Sequence, residues 1–149
     1  MGYGQQKEVL TPGQNEKCYL AGALNAVTGE LTWVGGERKN SLLFITLLQR
    51  LLTVYPDAPV IHVILDNYRI HSSQITQRAL AAFDGRIVLH FLPPYCPNEN
   101  RIERLWQDLH AAVTRNHRCR TMSELMPHVY RYLQRRQRQT ARRSLRTAA

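Results

Sequence analysis

Val60-Ile61-His62-Val63-Ile64-Leu65-Asp66-Asn67 is a nearly unbroken apolar run, rich in β-branched residues, that stops on a carboxylate and an amide. It is too short for a helix that could bury itself. The pattern predicts a strand covered on both faces, which is the environment of a parallel sheet. Just upstream, Leu42, Leu43, Phe44, Ile45, Leu47, Leu48, Leu51 and Leu52 give an apolar face wide enough to require a largely buried helix. Asn40 or Ser41 can cap that helix, and it must end near Val54-Tyr55, before Pro56. Downstream, a second helix is predicted over His71–Phe83 with Ile75, Leu80 and Phe83 inward. Asp84-Gly85 then turns into a buried strand, Ile87–Phe91. Strand, helix and strand in that order imply parallel pairing through a right-handed crossover.

Farther upstream, Tyr19–Leu24 and Leu31–Val34 read as two strands of a hairpin. Gly29 supplies the positive φ of their connection. Gln5–Leu10 reads as a short edge strand and Gly35–Lys39 as a loop. The fold class is therefore α/β, an antiparallel hairpin attached to a parallel portion.

On the other side, Pro93, Pro94 and Pro97 forbid helix and stiffen the approach to one beginning near Asn98. In that helix Ile102, Leu105, Trp106, Leu109 and Val113 fall within about 60° of one direction at 100° per residue. Glu103 lies about 100° away, on the border of the buried stripe. A last helix starts near Thr121, with Glu124 completing a capping box and Pro127 a potential kink. Beyond Leu133 the apolar pattern decays into arginine and glutamine.

The 149 residues are 44% apolar and 21% charged, which excludes a disordered chain and leaves room for one core. No apolar run approaches the roughly 20 residues of a membrane span, and Met1–Gln6 has no signal-peptide core. The formal charge of +9 points to a polyanionic partner, nucleic acid first. It is concentrated at the end, where residues 131–146 hold seven arginines and no acid. Such a segment tracks phosphates, or is simply a solvated, frayed tail. Cys18, Cys96 and Cys119 form neither a disulfide framework nor a zinc pattern, so a reducing, cytoplasmic compartment without membrane partners is expected.

Asp66 follows directly on the buried strand, and ligands of open α/β sheets bind outside the carboxyl ends of strands. One helix and one strand separate it from Glu103, so the crossover can return the chain to the same sheet edge. Two carboxylates meeting there repel unless a cation lies between them. Hard oxygen donors suit Mg2+ or Mn2+, and a two-ion site can drive phosphodiester displacement. The bland alternatives are a turn or cap role for Asp66, a dipole role for Glu103 and a packing role for His71.

Three stretches carry a family resemblance: Ile64-Leu65-Asp66-Asn67-Tyr68-Arg69-Ile70-His71, Leu92-Pro93-Pro94-Tyr95-Cys96-Pro97 and Asn100-Arg101-Ile102-Glu103-Arg104-Leu105-Trp106. Together they resemble the catalytic core of DDE-superfamily transposases, in the bacterial insertion-sequence group related to mariner-type elements. The resemblance implies a ribonuclease-H-like fold and metal-dependent DNA cleavage and strand transfer. It implies Asp66 and Glu103 as catalytic metal ligands and Asn67, His71 and Asn100 as support for the site. Arg131, Arg135, Arg136, Arg138, Arg142 and Arg143 would contact DNA.

Cys96 stands where the family commonly has serine, and Arg101 where it has proline. The family's first catalytic aspartate and amino-terminal helix-turn-helix have no counterpart, for no Asp precedes Asp57. The expectation is a catalytic domain truncated at its amino terminus over residues 1–119, followed by a helix and basic tail over residues 120–149. The central strand of the sheet is expected to be missing and the chain alone to be inactive. The partners implied are transposon ends and target DNA, a second copy or an upstream transposase fragment. The alternative is a non-catalytic DNA-binding remnant or inhibitor.

Overall fold

The computed structural model describes residues 2–10, 17–66, 68–93, 101–115 and 117–148, with residues 2–10 and 144–148 described by their backbone. The strands are β1 (Gly2–Leu10), β2 (Lys17–Asn25), β3 (Leu31–Gly36), β4 (Ile61–Leu65) and β5 (Ile87–Phe91). The helices are α1 (Ser41–Val54), α2 (Gln74–Ala82), α3 (Ile102–Leu109) and α4 (Met122–Ala148). They build one five-stranded sheet in the order β3-β2-β1-β4-β5. β1 pairs antiparallel with β2 and parallel with β4, and β5 extends the parallel side.

This corrects two expectations. Gly2–Leu10 is a central strand of nine residues, not a short edge strand, and the central lane expected to be empty is occupied by it. Without a strand there, the facing backbone groups of β2 and β4 would be unpaired, so whatever extended chain is at hand gains by filling the lane.

β2 alternates between two cores, which is why five consecutive residues of it are buried. Ala21 and Ala23 join Val63, Leu65 and Ile87 under Phe44, Leu47, Leu48 and Leu51 of α1. Leu20 and Leu24 face Ile102, Leu105, Trp106 and Leu109 of α3, with Leu125, Val129 and Leu133 of α4 behind them. The period of two in a strand makes this two-sided use possible. Gly22, between them, lets α3 approach. A Cβ there would lie 2.8 Å from Trp106 Cζ2 and 3.2 Å from Ile102 Cδ1.

α1 begins as expected, with Asn40 Oδ1 accepting from the Leu43 N–H at 3.0 Å. Gly29 has φ 75°, as the hairpin requires. The second helix is shorter than expected. Arg69–Ser72 is a 3-10 turn, and α2 starts after Ser73, whose Oγ caps the Thr76 N–H. Ile75 is exposed and Thr76 buried, the reverse of the apolar reading. The Thr76 hydroxyl donates to the Ile70 carbonyl at 2.7 Å, so its polar group is satisfied inside.

β5 is an edge strand rather than a buried one, with Val88 and Phe91 exposed. A π-helical segment, His110–Thr114, continues α3, closed by the Arg115 N–H donating to the His110 carbonyl at 2.8 Å.

α4 is helical through Ala148 rather than fraying after Leu133. One half of its capping box forms, with Thr121 Oγ1 accepting from the Glu124 N–H, whereas Glu124 Oε2 accepts from the Arg120 N–H, one residue before the cap. Farther along, the Gln137 amide holds edge strand β3 at one residue. Its oxygen accepts from the Leu31 N–H at 2.8 Å, and its NH2 donates to the Leu31 carbonyl.

Candidate active site

Register fixes where the two carboxylates stand. Gly4 of β1 pairs with Leu65 of β4, so Gln5 is level with Asp66. Gln5 in turn pairs with Gly22 of β2, and Gly22 is where Ile102 and Trp106 of α3 rest. Asp66, Gln5 and Gly22 thus form one row across the sheet, and Glu103 follows Ile102 in the first turn of α3. Two strand spacings, about 10 Å, separate the ends of that row. Leu65 packs on the α1 side, so alternation sends the next residue, Asp66, toward the α3 side. Asp66 and Glu103 are both partly exposed. Asp66 therefore stands at one end of a row of the sheet whose other end, Gly22, is where Ile102, the residue before Glu103, rests.

The backbone of Asp66 is held from two directions. Its carbonyl accepts from the Tyr68 N–H at 2.9 Å and from His71 Nδ1 at 2.9 Å. A carbonyl can only accept, so Nδ1 of His71 carries the proton, and in the neutral ring Nε2 is bare. His71 is buried, its ring tilted against Phe44 at 4.5 Å. Burial pushes its pKa below the ordinary value, outweighing the pull of the Asp66 carbonyl and carboxylate, and Lys39 adds to the depression. His71 is thus a positioning residue that packs and holds Asp66 at once. It anchors the end of β4 from the 3-10 turn.

Lys39 and Tyr68 were not singled out as site residues in the sequence. The Lys39 ammonium lies 4.6 Å from the centre of the Tyr68 ring, and Tyr68 meets His71 edge-on at 5.9 Å. This puts a cation and an exposed aromatic face beside Asp66. Lys39 belongs to a loop without pattern, and only its arrival at the end of β4 marks it.

Asn67 and Asn100 lie outside the described residues, as does the Pro94–Asn100 approach to α3. Among the described residues, no group of three His, Cys, Asp or Glu side chains could hold a metal ion. The donor set in hand is two carboxylates, chemically suited to a hard divalent cation.

The arginines divide by face. Arg131, Arg135, Arg138 and Arg142 recur at intervals of four, three and four residues and are all exposed, forming a ridge opposite the core side of α4. Arg136 instead turns toward α3, with its guanidinium 3.7 Å from Asp108. Arg143 is exposed and lies off the ridge.

The sheet order and the flanking helices define an α/β ribonuclease-H-like core of the kind found in integrases and transposases. Residues 1–126 match the family model described as DDE superfamily endonuclease, and the chain belongs to that family. Over 131 residues it is 49% identical to the insertion element IS630 uncharacterized 39 kDa protein of Shigella sonnei. The match takes in 88% of this chain and 38% of that relative's length. In fold it is similar to the catalytic domain of Mos1 mariner transposase, with a TM-score of 0.68 and 14% identity over 89% of this chain and 68% of that one. It also resembles a chain of the simian T-cell lymphotropic virus intasome in complex with PP2A regulatory subunit B56 gamma. There the TM-score is 0.64 and identity 17%, over 87% of this chain and 46% of that one. The HTLV-2 integrase catalytic core in complex with magnesium aligns with a TM-score of 0.56 and 14% identity, over 74% of this chain and 66% of that one.

Proposed function

We propose that this chain supplies the carboxy-terminal part of a DDE transposase catalytic domain and does not cut DNA by itself. The observation that carries the reading is the row across the sheet: Asp66 and the start of α3 share a level, while the strand between them carries Gln5, a neutral amide. Asp66 and Glu103 would hold Mg2+ or Mn2+, for which two carboxylates fit and a third is wanting. Such ions, when bound, activate the attacking oxygen and stabilise the leaving oxygen of a phosphodiester.

The chain's own residues do the rest. His71 keeps the Asp66 backbone fixed, Lys39 offers a cation to a nearby phosphate, and Asn67 and Asn100 support the site. Arg131, Arg135, Arg138, Arg142 and Arg143 lie along DNA phosphates, whereas Arg136 is engaged with Asp108. The third acid would come from an upstream transposase fragment or a second copy, acting on transposon ends and target DNA in the cytoplasm. Without such a partner, the same ridge makes the chain a non-catalytic DNA binder able to compete for transposon ends.

Nicking and strand-transfer assays with Mg2+ or Mn2+ test this. The chain alone is expected to leave supercoiled DNA intact. Mn2+ should still raise its melting temperature, and Asp66→Ala or Glu103→Ala should remove that shift. Robust cleavage abolished by Asp66→Ala would overturn the inactivity; a metal response unchanged in both variants would overturn the ligand assignment.

A further inference from the structure

A cleft of about 910 Å³ opens between the π-helical segment and α4, away from the paired acids. Glu103 and Val113, on its wall, are ten residues apart, about 15 Å along the helix. The cleft has two kinds of lining. Its rim carries Arg118, Arg131 and Arg135, with Glu124 the one acid among its lining residues. Glu124 is already occupied, since its Oε2 accepts from the Arg120 N–H at 3.0 Å. Its floor is apolar and aromatic: Val113, Leu125, Cys119 and the ring of Tyr132. His128 and His117 complete it, and among the described residues the buried Nδ1 of His117 has no hydrogen-bond partner.

A duplex keeps its base faces stacked inside and would leave the floor unused. An unpaired base can lie on a tyrosine or histidine ring while its phosphates meet arginines, the combination by which single strands are bound. His128, Arg131, Tyr132 and Arg135 follow one another at three, one and three residues, so one side of α4 presents ring and guanidinium together. We infer that this cleft binds a single DNA strand, with bases against Tyr132 and phosphates on Arg118, Arg131 and Arg135. It would receive an unpaired strand leading away from the paired acids. The assignment rests on the reading of the chain as DNA-acting and deepens it by naming the form of DNA.

Fluorescence anisotropy of the full chain with labelled oligothymidine, an abasic oligomer of equal length and a matched duplex tests it. The wild type should bind oligothymidine more tightly than the abasic strand, while the duplex reports the arginine ridge of α4. Tyr132→Leu should weaken oligothymidine about tenfold and leave the abasic strand nearly unchanged. The exposed pair Arg131→Gln/Arg135→Gln should weaken both strands, while Arg50→Gln/Arg78→Gln, an equal loss of charge on α1 and α2, should have a smaller effect. Should Tyr132→Leu fail to fold, the arginine pair against its control decides. Equal loss in both arginine pairs, or an abasic strand bound as tightly as oligothymidine, overturns the cleft and leaves the transposase reading standing. No binding of any DNA by the wild type overturns both.

Discussion

His71 shows how much one side chain settles. It is buried, holds the Asp66 carbonyl through Nδ1 and packs on Phe44, so folding favours its neutral form. Its pKa in the folded chain is below the ordinary 6.5. The unfolded chain therefore binds the extra proton first as pH falls. The stability that His71 contributes is fully present above pH 6.5 and declines as the pH drops from there toward the folded value. Urea titrations of the metal-free protein at pH 7.5 and 5.5 should show a loss that largely disappears in His71→Leu. That variant should also be less stable at pH 7.5 by about 1–3 kcal/mol, because the Asp66 carbonyl loses a buried donor. A pH response identical in both proteins would assign the loss to other groups. The sequence placed His71 one turn beyond Asp66 and left packing and catalysis both open. The hydrogen bond is to the backbone, a partner that residue types cannot disclose.

Among the elements, α3 is the one on which the proposed site depends, and its seat is Gly22. Gly22→Ala would place a methyl 2.8 Å from the Trp106 ring, which is itself among the largest fully buried side chains. Either α3 lifts or Trp106 leaves its rotamer, and the expected loss is about 1–3 kcal/mol by denaturant titration. The shift should also carry Glu103 away from Asp66, so the Mn2+ response should weaken more than it does in a core variant such as Leu48→Val. Equal weakening in the two would detach the site from this contact.

The elements differ in how openly the sequence declares them. β4, α1 and α3 are legible because their apolar residues are many and in phase. β1 is not: Gly2-Tyr3-Gly4-Gln5-Gln6-Lys7-Glu8-Val9-Leu10 has no alternation, and pairing on both sides, rather than composition, puts it at the centre. Thr76 and Gln137 escaped notice for a related reason. Both are polar residues whose partners are backbone carbonyls or amides far along the chain or around a turn. Asp66 and Glu103 could be named as candidates from where they fall on strand and helix, but the row that joins Asp66 to the seat of α3 needed the β1 register and the Gly22 contact.

At the scale of the whole molecule, the charge of +9 is not spread evenly. The ridge on α4 lies on the side opposite the sheet, and α4 is fastened to the core at Gln137 and through Leu125, Val129 and Leu133, so the ridge is carried on a docked helix. Duplex binding should therefore depend steeply on salt. Arg138→Gln/Arg142→Gln should reduce the slope of log K against log salt by roughly 2 if each arginine neutralises one phosphate. Arg136→Gln should change it little, since Arg136 faces Asp108. A slope equally reduced by Arg136→Gln would place that side chain on the DNA after all. No helix among the described residues is long and apolar enough to cross a membrane.

The place of β1 also sets an order of events during synthesis. Gly4 pairs with Leu65, so the central strand must wait for about sixty further residues before its parallel neighbour exists. At ribosomal speed that is roughly 3–12 seconds. β2 and β3 arrive first and can fold with β1 into an antiparallel meander, but the other edge of β1 stays open throughout that interval. Two nascent chains on one message would each display that edge, and the first strand to reach it, from the same chain or from its neighbour, would decide which sheet is built.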